Sequence, residues 1–237
     1  MIRRFLLLIS VVLGFSPAVH AQQQEKPDPV QIRAVLHDPL RATAELYYVN
    51  ESGAPARLNF RPKDFSESLL MLPVDGALVF YDTDTIDPEN PAAGLAARIG
   101  LPAGLKRAVV IVLPTAPDSD MPYRLLLVDD SAQAFPGGES LVLPLISVRT
   151  AVQAGEHRIP LEPGRISRIP AVRRVNEFNM AQTNFYYQHG ESWIPFAERQ
   201  LQYIAASRRI FIIHATPGAL QPTVTTLVDT LRAGSPP

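Results

Sequence analysis

The densest group of acidic side chains in the sequence begins at Asp82. Asp82, Asp84, Asp87 and Glu89 place four carboxylates within eight residues. Hard cations such as Ca²⁺ prefer several oxygen ligands on a flexible loop, so this segment is a candidate calcium site. The pattern departs from the EF-hand loop, because the central Gly and the terminal Glu at the required distance are missing. A solvated loop is the alternative interpretation of the same residues.

Other residue types that could act in catalysis lack partners at a suitable spacing. Asp129 and Asp130 follow an apolar run and could act as an acid or base, but Asp-Asp-Ser at a strand end more often hydrogen-bonds to the turn backbone. Ser192 lies in Gly-Glu-Ser-Trp-Ile, which lacks the second Gly of a nucleophile elbow. The histidines do not show metal-ligand spacing. We therefore predict no catalytic residue. A metal-dependent or acid–base hydrolase that uses residues 82–89 is the alternative.

Aromatic residues suggest a binding role instead. Tyr187 and Trp193 lie in runs of strand-forming residues, where neighbouring side chains point to opposite faces of a sheet. An exposed Tyr or Trp can stack on a sugar or anchor a partner protein. Tyr187 and Trp193 are therefore candidate binding residues. Packing in the core is the alternative role for these rings.

All of these residues belong to a chain of short apolar runs separated by turns. Ala108 to Leu113 and Tyr123 to Val128 are too short for independent helices and are bounded by turn residues, which is typical of buried strands. The 23 prolines among 237 residues exclude long helices. Turn signals that recur about every 8–12 residues predict an all-β fold of antiparallel β-sandwiches, with two immunoglobulin-like sandwiches in tandem.

The expected domain boundaries follow from this pattern. We predict an N-terminal sandwich over residues 30–129 and a C-terminal sandwich over residues 130–231. A flexible lead (22–29) precedes them and a loose tail (232–237) follows. Two segments stay ambiguous: residues 92–99 fit a short helix or an edge strand, and residues 199–206 fit a strand or a helix.

A faint internal similarity accompanies this division. Lys106-Arg107 before residues 108–113 resembles Arg208-Arg209 before residues 210–213. The similarity is compatible with two related halves, but it is too short to establish a repeat.

The first 21 residues have the features of a secretory signal. Arg3 and Arg4 form a basic region, residues 5–15 an apolar region, and the segment ending at Ala21 a small-x-small cleavage site. The apolar run stops short of the roughly 20 residues that a membrane span needs. We therefore expect cleavage after Ala21 and export to the periplasm or the exterior. We expect no transmembrane segment in the mature chain.

Composition limits the cellular compartment and the classes of partner that we expect. The chain contains no cysteine, so it has no disulfide framework, thiol nucleophile or Cys-based zinc site. For an exported domain this favours a bacterial protein stabilised by its core alone. The formal net charge is −1, and basic residues cluster only as pairs such as Arg173-Arg174. Because nucleic acid binding needs a concentrated basic face, we do not expect a nucleic acid partner.

The order of strand-like runs and turns resembles a group of uncharacterised exported bacterial proteins of the Verrucomicrobia type. The resemblance covers most of the chain after the leader and rests on these segments: 102–113, 123–131, 135–138, 161–164, 208–213 and 226–229. It implies a two-part β fold outside the cytoplasm and carries no catalytic residues with it.

These observations favour an exported, non-catalytic β-sandwich protein that binds or scaffolds a component of the cell envelope. The expected partner is an envelope protein or a surface polysaccharide. We expect no cofactor, with calcium at residues 82–89 as the one ion to be considered.

Overall fold

A computed structural model describes residues 27–38, 44–87, 90 and 92–231 of the chain. The predicted signal (1–21), most of the lead, Glu89 and the tail lie outside the described residues. Within them the chain forms sixteen β-strands, and no helix is long and apolar enough to cross a membrane. The first eight strands are β1 Val30–Leu36, β2 Leu46–Val49, β3 Pro55–Leu58, β4 Leu69–Met71, β5 Ala77–Tyr81, β6 Leu95–Gly100, β7 Arg107–Pro114 and β8 Tyr123–Asp129. The remaining strands are β9 Ser140–Pro144, β10 Thr150–Ala154, β11 His157–Leu161, β12 Ser167–Ile169, β13 Met180–His189, β14 Ser192–Gln202, β15 Ser207–His214 and β16 Thr223–Thr230.

The strands form four sheets of four strands each. The first half of the chain builds inner sheet 1, in the order β4-β1-β7-β8, and outer sheet 1, in the order β3-β2-β5-β6. The second half builds inner sheet 2, in the order β12-β9-β15-β16, and outer sheet 2, in the order β11-β10-β13-β14. Only β1 with β7 and β9 with β15 pair in parallel. The predicted all-β sandwich class is therefore confirmed.

The two halves share one topology. Adding eight to each strand number of the first half reproduces the strand order of the second half, including the parallel pair. The similar segments 106–113 and 208–213 fall on β7 and β15, which occupy equivalent central positions. Both strands are buried on their two faces over most of their length. Such strands require a continuous apolar run, which is why the similarity is visible there.

Three apolar cores separate the four sheets. One lies between the two sheets of the first half and includes Phe80 and Val110. The corresponding core of the second half includes Phe185 and Phe211. A third core lies between the two inner sheets, where Ile111 is buried with residues of β9, β15 and β16. The order of layers is therefore outer sheet 1, inner sheet 1, inner sheet 2, outer sheet 2.

Each of the two ambiguous segments contributes part of a strand, and neither forms a helix; residues 92–94 and 203–206 lie in turns or irregular structure. Leu95–Gly100 forms β6 and pairs with β5, and the segment beginning at residue 199 continues β14 to Gln202. In both segments strand formation is decided by long-range pairing. An antiparallel neighbour satisfies the backbone hydrogen-bonding groups of a segment whose own residues favour neither helix nor strand. Pro144 is the last residue of β9.

Candidate functional site

One residue of the acidic segment after Tyr81, Ile86, packs on the outer face of outer sheet 1. Ala77, Val79 and Tyr81 point away from the core of the first half, yet each is at most 2% exposed. Ile86 and Leu95 pack against these three side chains. Ile86 therefore has a structural role: together with Val74, which precedes β5, it helps to keep the outer face of this sheet away from solvent.

The acidic residues of this segment make local contacts through their backbone and, at Asp84, through the carboxylate. The Asp82 N–H donates to the carbonyl oxygen of Gly94 (2.9 Å). Asp84 Oδ1 accepts a hydrogen bond from the hydroxyl of the next residue (3.2 Å), and the carbonyl of Asp87 accepts one from the N–H three residues later (3.2 Å). In the ranges that the structure describes, no three His, Asp or Glu side chains are grouped so that they could hold a metal ion. Because Glu89 is not described, calcium binding by all four carboxylates stays a prediction.

A separate pair of acidic residues lies between the two inner sheets and is bound by two arginines. Arg33 Nη1 lies 2.7 Å from Asp229 Oδ1, and Arg33 Nη2 lies 2.9 Å from Asp130 Oδ2. Arg208 bridges the same two carboxylates, with Nη2 2.8 Å from Asp229 Oδ2 and a close contact to Asp130. The side chains of Arg208, Asp130 and Asp229 are at most 9% exposed. We call these four residues the interface ion cluster.

The cluster suits a structural role better than acid–base chemistry. Burial raises the pKa of Asp229, but the hydrogen bond and charge of Arg33, together with Arg208, outweigh it and hold that pKa below its ordinary value. A carboxylate kept ionised by two arginines is a poor proton donor at neutral pH. Sequence reasoning considered Asp130 but missed Arg33, Arg208 and Asp229 as its partners, which lie up to 196 residues apart in the chain.

Two histidines meet elsewhere beside the inner sheets. His37 follows β1 and His214 ends β15, with ring centroids 4.5 Å apart in an edge-to-face arrangement. His214 Nε2 lies 3.0 Å from the hydroxyl of Thr225, whereas His37 Nε2 is buried without a hydrogen-bond partner. Burial and the nearby His214 lower the pKa of His37 to about 4, opposed by Asp38. His37 is therefore neutral at pH 7.

This depressed pKa predicts a pH-dependent stability. In the folded protein His37 stays neutral down to about pH 4, whereas in the unfolded chain it takes up a proton near pH 6.5. The contribution of neutral His37 to the free energy of unfolding is therefore complete above pH 6.5, and it is lost as the pH falls from 6.5 toward 4. Urea unfolding at pH 7 and pH 5 should show a smaller pH effect for His37→Gln than for wild type. His189→Gln, at the exposed end of β13, should keep the wild-type difference in unfolding free energy between the two pH values. Equal differences in the two variants would contradict this assignment.

The outer face of outer sheet 2 is exposed. Ala181 and Phe185 of β13 point into the core, so the alternating side chains of this strand point outward. The register of β13 with β14 places Trp193 opposite Gln188 and the proline at 195 opposite Tyr186. Residues that pair directly share a face, so Tyr186 and Trp193 lie on the same outward face.

This surface combines amide and aromatic side chains. Its members are half-buried or exposed and come from the three strands β10, β13 and β14: Gln153, Gln182, Asn184, Tyr186, Gln188, Trp193 and Gln200. We call them the amide–aromatic face. Gln182 Nε2 donates to Asn184 Oδ1 (2.7 Å), and Asn184 Nδ2 donates to the Tyr186 hydroxyl (3.3 Å). These contacts align the side chains in a row along β13.

The two binding candidates from the sequence lie on opposite faces. Trp193 is 38% exposed on the amide–aromatic face. Tyr187 is half-buried and pairs with Ile194, and its ring lies 6.0 Å from that of Phe196, which packs against the core. The aromatic residue beside Trp193 is Tyr186, which sequence reasoning missed. The alternation of inward and outward side chains along β13 could have identified Tyr186, but only if the pairing register of β13 with β14 had been known.

The two halves differ in the connection that lies next to the outer face of the outer sheet. In the first half β5 and β6 are joined by a longer connection, and Ile86 in this connection packs on the equivalent surface of outer sheet 1. In the second half, only Gly190 and Glu191 connect β13 to β14. Gly190 has φ +58°, a left-handed conformation that glycine adopts at little cost in such a tight turn. The short turn leaves the amide–aromatic face open to solvent.

The function of this face has to be inferred from its own chemistry. Exposed aromatic and amide side chains in fixed register can stack and form hydrogen bonds at the same time. No protein-family model and no curated protein matches this chain.

Proposed function

We propose that the protein is an exported, non-catalytic β-sandwich protein that binds a component of the cell envelope through the amide–aromatic face. The observation that supports this proposal most is the contrast between the two halves. On the equivalent face of the first half Ile86 packs over the outward side chains of β5, whereas on this face Trp193 is exposed and Tyr186 is half-buried. Large amphipathic rings on a rigid sheet are effective anchors for a ligand, because little conformational entropy is lost when they bind.

The remaining polar groups support binding rather than catalysis. Asp130 and Asp229, the buried carboxylates between the inner sheets, are each bound by both Arg33 and Arg208. Because the two arginines compensate the charges of these carboxylates, the four side chains support a role in holding the two halves together. In the segment 82–87, the Asp84 carboxylate accepts a hydrogen bond from the hydroxyl of the next residue, and Ile86 packs on outer sheet 1.

Location outside the cytoplasm is supported by the sequence. Residues 1–21 have the basic, apolar and small-residue order of a secretory signal, and the chain contains no cysteine. The resemblance to exported bacterial proteins of the Verrucomicrobia type points the same way. An envelope component is therefore the class of ligand that the protein would meet.

The proposal is tested by co-sedimentation of the purified mature protein with an envelope fraction of the producing bacterium. Trp193→Ala should weaken binding at least tenfold, since truncating a central aromatic anchor costs about 1–2 kcal/mol or more. Phe178→Ala is the matched control, because Phe178 is an exposed aromatic in the loop before β13 and lies off the amide–aromatic face. Unchanged binding of Trp193→Ala, or an equal loss in Phe178→Ala, would reject the proposal.

A further inference from the structure

We infer that the envelope component bound by the amide–aromatic face is an uncharged polysaccharide. This inference rests on the proposed function and names the ligand of the same site. It is carried by three properties of the face: the placement of its rings, the chemistry of its amides and the position of its charges.

The rings are placed to contact neighbouring sugar units. Tyr186 pairs with Pro195 and Gln188 pairs with Trp193, so Tyr186 and Trp193 are diagonal neighbours on adjacent strands. Diagonal neighbours of this kind lie roughly 7–8 Å apart. The C–H faces of a sugar ring are apolar and flat, and they stack on aromatic rings whose polar edge remains free for hydrogen bonds. Two adjacent rings therefore suit a chain of sugars better than a single one.

The amides match sugar hydroxyl groups. A side-chain amide carries both donors and an acceptor, and a hydroxyl group also donates and accepts. Asn184 and Gln188 flank Tyr186 on β13, and Gln153 and Gln200 lie on the strands to either side. The outward row from Gln182 to Gln188 extends for about 20 Å at 3.3 Å per residue. This length fits an extended oligosaccharide.

Charged side chains adjoin the amides, and their signs are mixed. Arg158 projects outward from the edge strand β11 and pairs with Gln153, and Glu198 projects from the opposite edge strand β14 and pairs with Asn184. Arg149 precedes β10 beside Gln188 and forms an ion pair with Glu162 (3.8 Å). The outward side chains of β10 and β13, which lie between these edge strands, are Ala151, Gln153 and the four from Gln182 to Gln188, none of which is charged. An anionic polymer or lipid headgroup would call for a cluster of Arg or Lys. The centre of a protein interface is mainly apolar, whereas five of the seven members of this face are amides.

The test uses Trp193 as its own reporter, because it is the only tryptophan in the chain. The envelope fraction is digested with protease, and oligosaccharides are then released by mild acid and separated by anion exchange into neutral and anionic pools. The neutral pool should shift Trp193 emission and slow its quenching by acrylamide. Tyr186→Ala should weaken this response about tenfold, and Phe178→Ala should respond as wild type does.

The outcomes separate the inference from the proposed function. A response to the anionic pool alone, or envelope binding that protease removes, would overturn the uncharged polysaccharide. In either case Trp193-dependent co-sedimentation would leave the proposed function intact. If co-sedimentation itself does not depend on Trp193, the proposed function fails, whatever the pools show.

Discussion

Replacing Arg208 by alanine should lower the free energy of unfolding by about 3–5 kcal/mol, the usual cost of removing one partner from a buried ion pair. Its side chain is only 4% exposed and binds both Asp130 and Asp229. It also donates to the carbonyl of Phe135 (2.5 Å) and lies 4.5 Å from the centroid of that ring. The variant would leave two buried carboxylates with Arg33 as their single cation.

Urea denaturation at pH 7 measures this effect, and Arg57→Ala is its control. Arg57 forms a 2.9 Å ion pair with Glu45, but both side chains are exposed, so the control should lose less than about 1 kcal/mol. The double variant Arg208→Met/Asp229→Leu should recover much of the loss, because it leaves one balanced pair of Arg33 and Asp130. Similar losses in Arg208→Ala and Arg57→Ala would show that the interface ion cluster contributes little.

Ile212→Ala should lower the free energy of unfolding by about 2–5 kcal/mol, since it creates a cavity in a packed core. Ile212 is fully buried between the two inner sheets, in the same core as Ile111 of the first half. A cavity there removes contacts from both halves at once. We therefore expect wild type and variant each to unfold in one cooperative transition, with the midpoint of the variant shifted as a whole.

Two probes recorded together test this expectation. Trp193 emission reports on the second half, and far-UV circular dichroism reports on the strands of both halves. Val228→Ala, an exposed position on β16, should change stability by no more than about 0.5 kcal/mol. Different midpoints for the two probes in wild type would mean that the halves unfold independently and that the core between them is weak.

The shared topology gives these experiments a common interpretation. Two halves with the same strand order pack through their inner sheets, and the interface ion cluster and Ile212 both lie in that packing. The outer sheets, by contrast, differ in one connection. In the first half Ile86 of the β5–β6 connection packs on the outer face, and in the second half a two-residue turn leaves the outer face open. The structure thus separates the part of the molecule that holds it together from the part proposed to bind.

The fold class and the position of many strands follow from local patterns in the sequence. The runs at 108–113 and 123–128 lie within β7 and β8, because short apolar segments between turn residues satisfy their backbone groups only in a sheet. The prolines excluded long helices for a local reason as well, since proline removes a backbone donor and clashes with the preceding turn. These are properties of neighbouring residues, so they can be read along the chain.

Which side chains share a surface depends on how distant strands pair and pack. A shift of one residue in register exchanges the two faces of a strand, so the sequence could not distinguish Tyr186 from Tyr187 as the neighbour of Trp193. Arg33 meets Asp229 across 196 residues of chain through the parallel pairing within the first half and the packing of the inner sheets. Register and sheet packing depend on contacts between distant residues, and no local pattern specifies them.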